Sequence, residues 1–459
     1  MKHHSTRDLQ SLDEAHHLHP FTDHGSLLPD QRRVITRGEG VWLWDSDGNR
    51  LLDGMSGLWC AQVGHGRREI ADAVHAQMTE LSYYNTFFKT THEPVIHLSA
   101  MLAELMPSHI NKVFFGTSGS DSNDTALRIV RTYWDLMGKP EKKTIISRHN
   151  AYHGSTVAAA SLGGMEKMHA QSGMPIPGIT HIAQPYWFGE ADSMDPEAFG
   201  IWAARELERE IDRLGEDKVA AFIAEPIQGA GGVIIPPETY WPEIRHILAE
   251  REILFISDEV ICGFGRTGSW FGCQTYGTEP DLITMAKGMS SGYLPIAGVG
   301  VSDKVCEVLN AGGEFFHGYT YSGHPACCAA AIANLQIMQR EKLVERVATD
   351  IGPYLAERWL ALESHPLIGE ARMKGLLGAL ELVPDKASLS RRFAEPGTVG
   401  EILREISFKN GLVMRAVRDS LILAPPLTIT RGEVDQLIDL VTATLEEGQA
   451  VLRTKKILA

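Results

Sequence analysis

Between Val113 and Val301, short apolar runs alternate with longer stretches of helical period. The runs cover residues 113–115, 144–146, 219–224, 253–257, 282–285 and 297–301. Buried runs of this length separated by helices predict a mainly parallel sheet covered on both faces, an α/β fold. Ahead of them, Gly40-Val41-Trp42-Leu43-Trp44 and Leu51-Leu52 flank the turn-rich Asp45-Ser46-Asp47-Gly48-Asn49, the pattern of a hairpin. Ile70, Val74, Met78 and Leu81 mark one helix face. Asn85-Thr86-Phe87-Phe88 reads as a loop. Behind the runs, residues 328–345 read as one long helix, 375–382 and 412–414 as strands, and 431–453 as a closing helix. The expected division is an N-terminal segment (1–66), a large domain (67–328) and a small C-terminal domain (329–459).

Charge narrows the functions. With 43 basic and 58 acidic residues among 459, the net charge is −15, the wrong sign for a nucleic-acid surface and compatible with cationic substrates such as amines. Cys60, Cys262, Cys273, Cys306, Cys327 and Cys328 form no CxxC pair and read as reduced thiols. No apolar run reaches membrane-spanning length and the N-terminus carries no hydrophobic signal region, so the expected location is the cytoplasm, with no membrane partner. The histidine-rich start (His3, His4, His16, His17, His19, His24) lacks cysteine or carboxylate support at ligand spacing. It reads as a flexible tail or a strap, and no metal site is expected.

Candidate chemistry gathers at the ends of the apolar runs. Lys287 closes the stretch 281–286, and the small or flexible Gly288, Ser290, Ser291 and Gly292 follow, as where a buried strand reaches the mouth of a site. Asp258 and Glu259 close the run 253–257, and Glu225 closes 219–224. An amine and a carboxylate at two strand ends suit pyridoxal phosphate: the amine forms a Schiff base and the carboxylate keeps the ring nitrogen protonated. Taken alone, the pair reads as readily as a surface lysine and a helix-capping aspartate. Phe115-Gly116-Thr117-Ser118-Gly119-Ser120 runs from a strand into a helix, with Ser120 as the expected N-cap of a phosphate cradle. Tyr152 precedes the flexible Gly154 and is placed to stack on a planar ring, or to pack ordinarily. Gly263-Phe264-Gly265-Arg266-Thr267-Gly268 is a literal dinucleotide fingerprint, but Ser269-Trp270-Phe271-Gly272 follows without helical period, which argues against that use.

Taken in order, Thr117-Ser118-Gly119-Ser120, Tyr152-His153-Gly154, Glu225-Pro226, Asp258-Glu259-Val260 with 263–268, Ala286-Lys287-Gly288 and Thr320-Tyr321-Ser322-Gly323-His324-Pro325 resemble the class III, fold-type I pyridoxal-phosphate aminotransferases. Within them the chain resembles the amine:pyruvate (omega) transaminases, including the putrescine and polyamine enzymes, from about Phe21 to the C-terminus. One departure is Asp121-Ser122, where the family more often carries Glu-Ala. The resemblance implies a large domain with a mainly parallel seven-stranded sheet, plus a smaller α+β domain from both chain ends. It implies Lys287 as the Schiff-base lysine, Asp258 at the ring nitrogen, Gly119 and Ser120 on the phosphate, and Thr320 reaching the phosphate across a dimer interface. Tyr152 and Val260 would enclose the ring, with Glu225 and Gly154 close by. Phe21, Trp59, Tyr152, Arg415 and, from a second copy, Phe87 and Phe88 would shape the substrate pocket. The implied protein is a homodimer with shared active sites, possibly a tetramer, passing an amino group from a primary amine to a keto acid, pyruvate first. Another class III reaction (a 2-oxoglutarate-dependent aminotransferase, an aminomutase or a decarboxylase) stays open at this point.

Overall fold

The computed structural model describes residues 5–28, 31–191, 193–386 and 392–458. Strands β1 (Ile35–Glu39), β2 (Trp42–Asp45) and β3 (Arg50–Asp53) form the expected hairpin with one strand added in front. The large sheet follows, from β4 (Ile110–Gly116), β5 (Thr144–Arg148), β6 (Ile179–Ile182), β7 (Val219–Ala224), β8 (Leu254–Asp258), β9 (Leu282–Met285) and β10 (Ala297–Ser302). Its order is β4-β10-β9-β8-β7-β5-β6. Neighbours from β9 to β6 pair in parallel, while β10 runs antiparallel to both β9 and β4. Every residue of β7 is buried, as both faces of a central parallel strand must be.

Helices cover both faces. On one side Ala126, Leu127, Val130 and Trp134 of the helix Gly119–Leu136 pack on the sheet. On the other, Phe199, Ala203, Leu207 and Ile211 of Pro196–Leu214 pack with Trp241 on Phe222 and Phe255. Burying one such side chain contributes roughly 1.5–3 kcal/mol.

Register places the chemistry. Ala224 pairs with Ser257, so Glu225 and Asp258 emerge side by side. Asp258 pairs with Thr284, which brings the end of β9, and Lys287 just beyond it, to the same sheet edge. That is the carboxyl edge where open α/β sheets bind ligands.

The C-terminal part adds β11 (Ile368–Lys374), β12 (Leu377–Leu382), β13 (Leu412–Val413), β14 (Arg415–Val417) and β15 (Ser420–Leu423). They complete two four-stranded sheets, β1-β2-β3-β13 and β11-β12-β15-β14. The single strand expected at 412–414 is two strands in two sheets. β13 pairs in parallel with β3, the chain turns at Met414, and β14 pairs with β15. Arg415 therefore stands where the chain crosses between sheets.

Other expectations change. The helix expected over 328–345 is Pro325–Arg340, then Leu343–Thr349, broken where Lys342 takes φ +50. Residue 328 lies inside the first of these. On the helix Arg68–Glu80 only Ile70 is buried, and Met78 is 54% exposed. The N-terminal tail contains a helix, Thr6–His16, closed by a capping box between Ser5 and Asp8. Asp13, one turn before His17, supplies the carboxylate that the sequence reading denied this region. It accepts from His17 Nδ1 (2.9 Å) and His19 Nε2 (2.6 Å) and pairs with Arg32 Nε (3.1 Å), tying the strap down. His3 and His4 lie outside the described residues. Among the described residues no helix is long and apolar enough to cross a membrane.

Candidate active site

A cavity of about 370 Å³ opens at the carboxyl edge of the large sheet. Its floor is Asp258. Oδ2 accepts from His153 Nδ1 (2.7 Å) and Asn123 Nδ2 (2.9 Å), and Oδ1 accepts from Val260 N–H (3.1 Å). Asn123 also donates to the His153 carbonyl, so three elements lock one carboxylate. Beside it Glu225 accepts from the Tyr152 and Gly229 N–H groups at 3.1 and 2.9 Å. Burial, with Asp258 nearby, pushes the Glu225 carboxyl above its usual range, against the pull of His153.

One end of the cavity is the N-terminus of Gly119–Leu136. The N-cap is Ser118 and not Ser120: its hydroxyl accepts from Asp121 N–H while the Asp121 carboxylate takes the N–H groups of Thr117 and Ser118. Ser120 is the second helical residue, and its hydroxyl accepts from Ser155 N–H (3.0 Å). Asp121 thus shapes the turn and leaves the Gly119 and Ser120 N–H groups without partners among the described residues, pointing an anion site into the cavity. A Cβ at Gly119 would meet Val260 Cγ1 at 3.0 Å, and one at Gly154 (φ +135) would meet Ser120 Oγ at 2.5 Å. Only glycine lets the wall close this tightly.

Opposite the floor the groups are unlike this. Lys287 has φ +43, and its side-chain amine makes no hydrogen bond or ion pair among the described residues. Its Nζ lies 5.2 Å from the Trp59 ring centroid, and Arg415 Cζ lies 5.3 Å from the same ring. Two cations therefore share one buried indole (1% exposed). Burial holds the Lys287 ammonium below the usual lysine range, and Arg415 adds to that, while Cys60, Asp258 and Glu225 oppose it. Arg415 is half-buried, unpaired among the described residues, and lowered by the same burial. Phe21, 77% exposed, meets Tyr152 edge-on at 6.3 Å.

The structure thus gathers Gly119, Ser120, Tyr152, Gly154, Glu225, Asp258, Val260 and Lys287 around one cavity, with Trp59 and Arg415 against Lys287 and Phe21 against Tyr152. It does not bring Thr320, Phe87 or Phe88 there: Thr320 and Phe88 are exposed elsewhere, and Phe87 borders a separate cavity with Phe114 and His317. The sequence reading overlooked Asn123 and His153. Asn123 stands four residues after Gly119 and so on the same helix face, and His153 is the middle residue of a motif read only for its neighbours. The 263–268 loop opens no helix. Its Arg266 is fully buried and donates to Ser56 Oγ (2.6 Å) and the Pro425 carbonyl, a structural clasp.

An anion cradle, an unpaired lysine and a buried carboxylate in one cavity fit pyridoxal phosphate by donor set and by shape. A model of the class-III aminotransferase family matches residues 28–445, and the chain belongs to that family, whose members use this cofactor. It is an aminotransferase of fold type I. It is 55% identical to the putrescine–pyruvate aminotransferase of Pseudomonas aeruginosa over 97% of this chain and 98% of that one. Among solved structures, it resembles a thermostable (S)-enantioselective omega-transaminase from Thermomicrobium roseum (TM-score 0.92, 45% identity, 96% of this chain and 98% of that one). It also resembles the omega transaminase from Pseudomonas jessenii in complex with PMP (TM-score 0.94, 38% identity, 96% and 98% covered).

Proposed function

We propose that this chain moves an amino group from a primary amine, diamines such as putrescine foremost, to pyruvate. The supporting observation is the pair of unpartnered cations, Lys287 and Arg415, flanking Trp59 above a fully partnered carboxylate. Bound pyridoxal phosphate supplies an electron-withdrawing ring that makes the substrate carbon acidic. Gly119 and Ser120 would hold the phosphate, Tyr152 and Val260 would flank the ring, and Asp258 would keep a proton on the ring nitrogen. Lys287 would carry the cofactor, and its Nζ, once free, would take the proton from the substrate carbon as a base and return it as an acid. Its lowered proton affinity makes the neutral amine available closer to neutral pH. In the second half-cycle Arg415 receives the keto acid's carboxylate through its two-pronged guanidinium. Trp59 beside Lys287 and Phe21 beside Tyr152 would limit space next to the cavity, which favours pyruvate over the longer 2-oxoglutarate. The two halves alternate, so kinetics are ping-pong.

The active form in this reading is a homodimer. Thr320, Phe87 and Phe88 lie outside this chain's own cavity, with Phe88, Tyr83, Phe316 and Tyr321 exposed, and that exposed aromatic surface supports their completing a second copy's site in this reading. The free cysteines support a cytoplasmic location.

A panel of amine donors against pyruvate and 2-oxoglutarate tests the reaction. Putrescine with pyruvate should turn over fastest. Turnover confined to 2-oxoglutarate overturns the acceptor, and carbon dioxide released without amino transfer overturns the reaction class. Sedimentation at assay concentration tests the dimer, which a fully active monomer contradicts.

A further inference from the structure

The helix Pro325–Arg340 buries an apolar face that includes Ala330, Ala331, Leu335, Ile337 and Met338. In its middle sits Asn334, 0% exposed. Asparagine is a poor helix former, and its amide is costly among apolar neighbours unless every hydrogen bond is made. Here they are made, and on one target. Asn334 Nδ2 donates to the Gly288 and Met289 carbonyls, both at 2.9 Å. Its Oδ1 accepts from Ser291 Oγ (2.6 Å), and that oxygen accepts from Val63 N–H (3.1 Å).

This target is the turn Lys287–Met289, which starts at the catalytic lysine of the proposed function. Lys287 holds φ +43 and Ser291 φ +51, conformations an L-residue keeps only when its surroundings enforce them. The Gln62 side chain presses on the turn from the other side: a Cβ at Gly288 would come within 2.2 Å of its Nε2. With no hydrogen bond on Nζ among the described residues, the turn sets where the lysine stem starts and the Trp59 face is what borders its end. Val63 closes the segment that carries Trp59 and Cys60, so one chain of hydrogen bonds sets the lysine turn against the opposite wall.

We infer that Asn334, relayed by Ser291, is a positioning residue that aims the Lys287 amine for proton transfer, and this rests on the lysine's role in the proposed function. Removing it misplaces the base without touching the substrate pocket. In Asn334→Ala, the single-turnover donor half-reaction per cofactor-loaded site should slow about tenfold or more, with amine KM within about threefold. Yellow colour on adding pyridoxal phosphate to the cofactor-free protein should also develop about tenfold more slowly. Ser291→Ala, which keeps both donations of Asn334, should slow each rate by less, about two- to fivefold, and reads the relay if Asn334→Ala does not fold. In a Lys287→Ala background, adding either substitution should change the residual half-reaction by less than about twofold, because the group it aims is gone. An equal slowing with and without Lys287 overturns the inference. So does a lowered melting temperature with unchanged rate per loaded site. Parent-like activity of Lys287→Ala alone would instead overturn the lysine assignment, a separate outcome.

Discussion

At the floor of the cavity Asp258 is held by Asn123, His153 and the Val260 N–H, whereas among the described residues the Lys287 and Arg415 side chains across from it have only the face of Trp59. Both regions are built from charged groups taken from water, and the same folding energetics should pair both. In the proposed function the floor is paired because its job is constant: a carboxylate held in one place. In the same proposal the cations across from it are unpaired among the described residues because their partners, cofactor, amine and keto acid, come from outside the chain. A protein that filled those positions with its own carboxylates would be more stable and inert.

The largest effect should come from the unpaired side. Lys287→Ala should cost about two to four orders of magnitude in transamination while the fold persists, checked by turnover and circular dichroism; turnover within about tenfold of the parent breaks the assignment. Next comes the floor. Asp258→Asn keeps the shape and the contacts of one oxygen but loses the charge, so kcat should fall on the order of a hundredfold with the amine KM little changed. A raised KM at unchanged kcat would place Asp258 in ground-state binding instead.

Arg415→Ala should be selective. Use of pyruvate and amino acids should weaken by about 2 kcal/mol, roughly thirtyfold, the scale of a charge-assisted hydrogen-bonded pair. The donor half-reaction with putrescine, which has no carboxylate, should change little; equal losses for both would make Arg415 structural. The smallest effect is on stability. The folded state holds the Lys287 proton less tightly than the unfolded chain, so the charged ammonium destabilises the fold below its lowered pKa, and the penalty fades towards the ordinary 10.5. Lys287→Met should therefore raise the melting temperature of the cofactor-free protein at pH 7, with the gain shrinking as pH rises. Asn123→Ala on the floor should do the opposite, costing about 1–3 kcal/mol, as melting of both variants would show.

The fold was largely legible because a central parallel strand has no freedom in its pattern: residues 219–224 are apolar throughout and β7 is buried throughout. Edge elements were not. β6 carries Thr180-His181 half-exposed on the last strand of the sheet, and its run is too short and too polar to stand out. The break at Lys342 depends on a left-handed residue that is not glycine, which composition cannot announce. Within the site, groups at strand ends could be read from the runs they close. Asn123, His153 and Asn334 were less legible, because each bonds to another residue of the chain, and that is visible only when the partner's distance is known. The Ser118 cap was misplaced by two residues because Ser118 and Ser120 are chemically alike; only the Asp121 carboxylate, reaching back to Ser118, separates them.

In the proposed function the Lys287 amine is left without a partner among the described residues because the cofactor is its partner. Purified protein loaded with pyridoxal phosphate, reduced with borohydride, digested and mapped by mass spectrometry tests it directly. The reduced cofactor should be found on the peptide containing Lys287, at close to one per chain and with loss of the yellow colour. Cofactor mass on any other lysine, or a colour that borohydride does not bleach, would contradict it.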